Sequence, residues 1–225
     1  MARPEFIDGG IYHIYNRGTD KRDIFLDDQD YFRFIHYLYA CNDVEPLEKI
    51  ENLIIGDPIS GIRGRERLVS IFCYALLPNH FHLLIQQRKE GGVSKFMQKL
   101  SIGYTMYFNV RNERTGVLFQ GKFKSKFVDD EKYLETLVNY IHLNPLDIFQ
   151  KKWKENGVKD YASAKNFLEE YRWSSYLDYI GKKNLPSLLD FVAIKENLGD
   201  TIEHKDTLNH LLKDYGDGIA GLLLD

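Results

Sequence analysis

Ala75-Leu76-Leu77-Pro78-Asn79-His80-Phe81-His82-Leu83-Leu84-Ile85 is the stretch whose reading decides the fold. Pro78-Asn79 offers a short hairpin connection between two strand-like runs, Leu68 to Leu77 and His80 to Gln87. Alternate side chains of a strand share a face, so His80 and His82 project together while Phe81 and Leu83 pack the opposite way. Two imidazoles side by side on a rigid strand make a natural metal pair. The same spacing also suits a structural or surface pair, so a metal reading needs a third ligand and a reactive group from elsewhere. The segment Tyr140-Ile141-His142-Leu143-Asn144-Pro145 supplies both.

Working outward, Gly10 to Tyr15 reads as a first strand ended by the turn-forming Asn16-Arg17-Gly18. Leu26-Asp27-Asp28-Gln29-Asp30 offers an N-cap and an acidic first turn for a helix through about Asn42, with Phe32, Ile35, Leu38 and Tyr39 on one stripe. Gly56, Pro58, Gly61 and Gly64 punctuate a long loop over about 43–67 that ends in Arg63, Arg65 and Arg67. After the hairpin, Val93 to about Asn112 returns to helical period, with Phe96, Leu100, Tyr104, Tyr107 and Phe108 on its apolar stripe. A strand from about Lys122 to Val128 follows. Asp129-Asp130-Glu131 then opens a helix stopped by Pro145.

The order is β-α-β-β-α-β, then α. That order predicts an α+β fold, the ferredoxin-like split βαβ, with an antiparallel four-stranded sheet, helices on one face, and the first and third strands as central neighbours. A following helix would lie across the histidine face. We expect a core domain over residues 1–150 and a C-terminal helical extension over 151–225, the latter of unassigned role. Within the extension Tyr161 to Glu170 reads as a helix, and Leu188 to Leu224 as two or three short ones.

Composition narrows the partners. The chain has 225 residues, with 30 Lys and Arg against 33 Asp and Glu, so its net charge is -3. That balance argues against coating duplex DNA by bulk charge and confines any nucleic-acid surface to a local patch. Cys41 and Cys73 lie far apart, without the spacing of a disulfide framework or a thiolate zinc site. The N-terminus lacks an apolar signal core and no membrane-length apolar run occurs, so a cytoplasmic protein without a membrane partner is expected. The 15 Tyr and 14 Phe serve a core or stack on unpaired bases, and composition does not separate the two uses.

On the helix before Pro145, Tyr140 and Asn144 are four residues apart and share a face. Packing that face over the strand would bring the Asn144 carbonyl oxygen toward His80 and His82, with Tyr140 beside them. Two imidazoles and an amide are neutral, so a divalent ion held this way keeps its charge for polarising a phosphodiester. Tyr140 is then the sensible nucleophile, since a covalent phosphotyrosine conserves bond energy for rejoining. His142 points off that face. His13 on the first strand would sit beside the histidine strand, as an outer partner of a ligand or as a core histidine.

Tyr12-His13-Ile14-Tyr15-Asn16-Arg17-Gly18, Leu77 to Leu84, Phe119-Gln120-Gly121-Lys122-Phe123-Lys124-Ser125 and Tyr140 to Pro145 resemble, in order and spacing, the single-tyrosine His-hydrophobic-His (HUH) transposases. Tyr171-Arg172-Trp173-Ser174-Ser175-Tyr176 brings the resemblance closer to the REP-associated tyrosine transposase branch, and the likeness covers about residues 8 to 180. What it implies is a nuclease core that binds single-stranded DNA near a hairpin, uses Mg²⁺ or Mn²⁺, and forms a 5′-phosphotyrosine while leaving a free 3′-OH. Carried over by position, Tyr140 would be the nucleophile and His80, His82 and Asn144 the metal ligands. The resemblance leaves homodimer and monomer both open.

Lys122, Lys124 and Lys126 alternate along their strand and, with Arg111 and Arg114 upstream, form the densest positive run. This run and Arg17 are the candidate DNA-backbone contacts, against the plainer reading of solvated surface. Two alternatives to a strand transferase stay open: a non-catalytic, domesticated protein that grips hairpin-bearing single strands, and a metal-dependent hydrolase using water.

Overall fold

The computed structural model describes residues 5–45 and 66–199. Most of the expected loop, with Arg63 and Arg65, and the chain beyond Gly199 lie outside the described residues. The sheet has four strands, β1 (Ile11–Arg17), β2 (Val69–Leu77), β3 (His80–Gln87) and β4 (Lys124–Val128), in the order β2-β3-β1-β4 with every neighbouring pair antiparallel. This is the split βαβ arrangement with β1 and β3 central. The hairpin is as tight as its sequence suggests: Leu77 pairs with His80, leaving Pro78-Asn79 as the connection.

Two crossover helices, α1 (Asp28–Ala40) and α2 (Gly92–Arg111), pack together against one face of the sheet. Asp27 caps α1 by accepting from the amides of Gln29 and Asp30. Phe34 of α1 and Tyr104 of α2 meet edge to face, and Phe34 also packs on Phe81 of β3. The aromatic stripes read from the sequence are therefore core here.

Arg111 ties the two helices together. Its guanidinium donates to Asp27 and Asp30 at the start of α1, and the fully buried Asp30 carboxylate also accepts from the Tyr107 hydroxyl at 3.0 Å.

The opposite face, the histidine face, is covered by the helix that follows β4, as the sequence led us to expect. α3 (Glu131–Leu143) crosses it and contacts β2, β3 and β4, because its apolar stripe of Leu134, Leu137, Val138 and Ile141 has only that face to bury against. Asp130 caps its start by accepting from the Tyr133 amide, and Pro145 ends its ladder before a further turn, α4 (Leu146–Phe149).

Four more helices follow: α5 (Trp153–Asn156), α6 (Tyr161–Glu170), α7 (Tyr176–Tyr179) and α8 (Phe191–Leu198). α5, α6 and α7 close a second small core of Leu143, Leu146, Trp153, Ala164, Leu168 and Tyr176. The chain then returns to the edge of β2. Leu76 N donates to Trp173 O at 2.9 Å, Ser175 N donates to Tyr74 O at 3.0 Å, and Asp190 N donates to Ile71 O at 3.0 Å. α8 packs on both α3 and β2. Trp173, Tyr179, Leu188 and Ile194 thus share the main core.

Removing the Arg111 side chain leaves the buried Asp30 carboxylate without its counter-charge. Arg111→Ala should lower unfolding free energy by about 3 kcal/mol, against a few tenths for Arg114→Ala, as read by urea denaturation of the two variants.

Candidate active site

The pairing register assembles the site. Across β1 and β3, Tyr15 lies opposite His82 and Arg17 opposite His80, while across β1 and β4 Lys126 lies opposite His13 and Lys124 opposite Tyr15. Directly opposed residues share a face. One side of the sheet therefore carries His13, Tyr15, Arg17, His80, His82, Lys124 and Lys126, and α3 lies across it.

His82 is 1% exposed, and its Nδ1 faces His13 Nε2 at 2.8 Å with the two rings stacked. His13 thus bonds to the ring of a candidate ligand. His80 is half-buried, and its Nδ1 donates to Asn79 Oδ1 at 2.6 Å, since an amide oxygen only accepts. With Nδ1 of each ring held from behind, the Nε2 lone pairs of His80 and His82 are left facing forward in the tautomer that has His82 donating to His13. The Nε2 atom of His82 is buried and has no hydrogen-bond partner. A buried imidazole nitrogen without a partner is what a ligand position looks like before its ion arrives.

Electrostatics agree with that reading. Burial first, then the charges of Arg17 and Lys154, push His80 down to about 3. Burial, followed by neighbouring His13 and His80, holds His82 well below the ordinary histidine range. Burial and then Lys126 bring His13 to about 3. All three rings are neutral near pH 7, the form that binds a metal ion.

Tyr140 brings its ring edge-on to His82 at 5.8 Å between centroids and to His13 at 6.4 Å, and it is 4% exposed. One turn on, Asn144 is 1% exposed, and its Nδ2 donates to Tyr140 O at 3.0 Å. The amide nitrogen therefore helps end α3, and the oxygen is turned to Lys154, whose Nζ donates to it at 3.1 Å. Helix termination and ligand geometry are compatible, because they use different atoms of the same side chain. Among the described residues no three His, Cys, Asp or Glu side chains gather as a metal cluster. A third protein ligand here would be this amide oxygen, and two imidazole nitrogens with an amide oxygen are donors whose chemistry suits a divalent ion.

His142 is turned away, with Nε2 2.9 Å from Ser175 Oγ and its ring packed on Tyr179, so it joins α3 to the C-terminal segment. Lys124 and Lys126 lie on the histidine face, their ammonium groups over the rings of Tyr15 and Tyr133. Lys122 is exposed in the bend before β4, which begins two residues later than the sequence suggested. The Nε of Arg17 is buried without a partner.

Arg111 and Arg114 are not brought to this face. Arg111 is committed to Asp27 and Asp30, and Arg114 lies over the Phe108 ring at the end of α2, beyond the other side of the sheet. Neither arginine shares the histidine face with Lys124 and Lys126. Two residues that sequence reasoning passed over belong to the site, Asn79 behind His80 and Lys154 beside Asn144. Adjacency to the histidine pair was the available signal for Asn79; Lys154 had none.

Residues 63–144 match the family model described as Transposase IS200 like. Over that stretch the chain is similar to the IS200-like transposases. The IS200-like segment takes in β2, β3, α2, β4 and α3, and with them His80, His82, Tyr140 and Asn144. No curated protein matches the chain by sequence. A solved structure described as a REP-associated tyrosine transposase bound to a REP hairpin superposes on 86% of this chain and 95% of its own, with a TM-score of 0.54 and 16% identity. At that identity the likeness speaks for the fold, which extends well past the IS200-like segment at both ends.

The depressed histidines make stability depend on pH. Below the ordinary value of about 6.5 the unfolded chain takes up protons that His13 and His80 refuse until about 3. Stability present above pH 6.5 is therefore lost as pH falls toward 3. Denaturant unfolding of the metal-free protein should show a drop of about 1–3 kcal/mol between pH 7 and pH 5, and His13→Asn should flatten it.

Proposed function

We propose that the protein is a metal-dependent strand transferase that cuts and rejoins single-stranded DNA beside a hairpin, with Tyr140 as nucleophile. The observation that carries this reading is the partnerless buried Nε2 of His82, on a ring that meets the Tyr140 ring at a right angle with 5.8 Å between centroids. A divalent ion, Mg²⁺ or Mn²⁺, would be held by His80, His82 and Asn144 and would supply a Lewis acid for a non-bridging phosphate oxygen. Two imidazoles among three protein ligands favour Mn²⁺.

The chain's own residues do the rest. Arg17, Lys122, Lys124 and Lys126 grip the backbone, Arg17 beside His80 and the strand lysines along β4. His13 and Asn79 hold the two ligand rings in orientation. The Tyr140 oxygen attacks phosphorus, the bond from phosphorus to the 3′ oxygen breaks, and the phenolic proton is balanced by protonation of the leaving 3′-OH. The 5′ phosphate stays on Tyr140. Attack by a 3′-OH reverses the step and reseals a strand without a nucleotide cofactor. The REP hairpin in the similar solved structure supports a hairpin-bearing single strand as substrate.

A second reading, a domesticated hairpin-binding protein without cleavage, draws on the 4% exposure of Tyr140, which has to be uncovered before it can reach phosphorus.

Incubating a hairpin-bearing single-stranded oligonucleotide with the protein and Mn²⁺ should give a covalent adduct on a denaturing gel, abolished by Tyr140→Phe and by His82→Ala. An adduct that survives Tyr140→Phe removes Tyr140 from its role; cleavage without adduct favours water as nucleophile; tight binding with neither favours the domesticated reading. For the backbone track, Lys124→Ala with Lys126→Ala should weaken hairpin binding and reduce the log–log salt slope by about 1.5, while Arg114→Ala leaves that slope unchanged.

A further inference from the structure

Lys154 lies ten positions beyond Asn144, outside the IS200-like segment, on the short helix α5. Its backbone is firmly placed. Trp153 beside it is fully buried in the second core, and the Trp153 indole N–H donates to Asp147 Oδ1 at 2.7 Å. From that anchor the Lys154 ammonium donates to Asn144 Oδ1 and to Asp147 Oδ2, each at 3.1 Å, and sits 4.8 Å from the centre of the Tyr140 ring. Its charge also bears on both His80 and His82, after burial and alongside Arg17. A single positive charge thus stands among all the groups proposed to meet at the divalent ion.

We propose that Lys154 is a tethered cation that holds the Asn144 oxygen in the metal-free protein and must be displaced before a divalent ion can load. The inference rests on the metal reading above and adds a residue to it. Its physical basis is competition for one atom. An ion taking Asn144 Oδ1 as ligand would come within a few ångströms of an ammonium already bonded there, and a double positive charge repels a single one steeply in a half-buried site. The two do not share the oxygen.

Displacement is feasible because Lys154 has somewhere to go. Its side chain is 29% exposed, which leaves it room to move, and Asp147 remains its ion-pair partner when Asn144 is released. The flexible lysine stem can make that short swing, which the planar fork of an arginine would make less easily. While in place, the ammonium also keeps the Asn144 oxygen pointed outward, with the amide nitrogen fastened to Tyr140 O. Lys154 is therefore a competitor for the ligand atom, displaced by the ion that uses it, while the bond from Asn144 Nδ2 to Tyr140 O keeps the amide in place. Nothing in this role requires Lys154 to change its protonation.

The competing explanation is a plain tie between α5 and the end of α3. The two differ in sign. A structural tie, once cut, loosens Asn144 and weakens metal binding; a competitor, once removed, strengthens it.

The test is Mn²⁺ titration of the full chain without DNA, followed by calorimetry and by the loss of the free-ion paramagnetic resonance signal, for wild type, Lys154→Met, Lys154→Arg and His82→Ala. Lys154→Met should bind Mn²⁺ about tenfold more tightly than wild type or better, and Lys154→Arg should bind no more tightly than wild type. Unfolding midpoints of Lys154→Met and wild type, compared alongside, show whether the variant folds. Equal or weaker binding by folded Lys154→Met, with binding lost in His82→Ala, overturns the inference and leaves the metal reading intact. If Lys154→Met fails to fold, tightened binding by Lys154→Gln carries the same expectation, and its absence the same refutation. Mn²⁺ binding absent from every variant at millimolar concentration overturns the metal reading and this inference with it.

Discussion

The register of β1 against β3 is the constraint on which everything else hangs. Side chains along a strand alternate between faces, so a slip of one residue would carry His13, Tyr15 and Arg17 to the side packed by α1 and α2, away from His80 and His82. The slip is opposed from both sides of the sheet. Tyr12 and Ile14 are fully buried on one face, while the His13–His82 contact at 2.8 Å locks the other. The end of the pairing is pinned too: Gly18 N donates to Asn79 O, and the amides of Ile24 and Phe25 both donate to Pro78 O. A β-carbon at Gly18 would collide with the Arg22 carbonyl, so only glycine lets the chain turn that closely there. The turn that holds Asn79 behind His80 is thereby fixed by the strand that supplies His13.

The C-terminal residues complete this arrangement. Trp173 stacks on Tyr31 of α1 at 4.6 Å between ring centres while its carbonyl accepts from β2, so one residue links the helix layer to the sheet edge. Ser175 accepts from Tyr74 N and also meets His142, joining β2 to α3. Asp190 does similar work lower down, accepting from Ser70 and pairing with Arg67 and Arg88. These contacts run through buried polar atoms that need one another to be satisfied, so they resist piecemeal loosening.

Much of this was legible in the sequence because the signals were local. Pro78-Asn79 and the alternation of His80 to Gln87 gave β3 its limits, and the spacing of Tyr140 and Asn144 put them on one helical face. The pairing of Arg111 with Asp27 and Asp30 was not legible, because those partners come from a different helix far earlier in the chain and nearness in sequence to the lysines of β4 carried no information about them. The covering of the second sheet face was only partly foreseen, since the short helices after Pro145 have weak individual patterns and are placed by the burial of Trp153 and Trp173. Lys154 was invisible for the same reason: its position is a consequence of where Trp153 packs.

The two margins of the sheet are guarded by different means. Along β2 the chain's own later segment occupies the backbone groups, with Ala75 and Ser174 forming a bridge. β4 is the outer strand on the other side, and Lys124 and Lys126 stand on it. Charged side chains on an outer strand discourage a second molecule from adding itself by backbone pairing. The lysines proposed for the nucleic acid therefore also guard this edge, and exchanging them for apolar residues would invite edge-to-edge polymerisation.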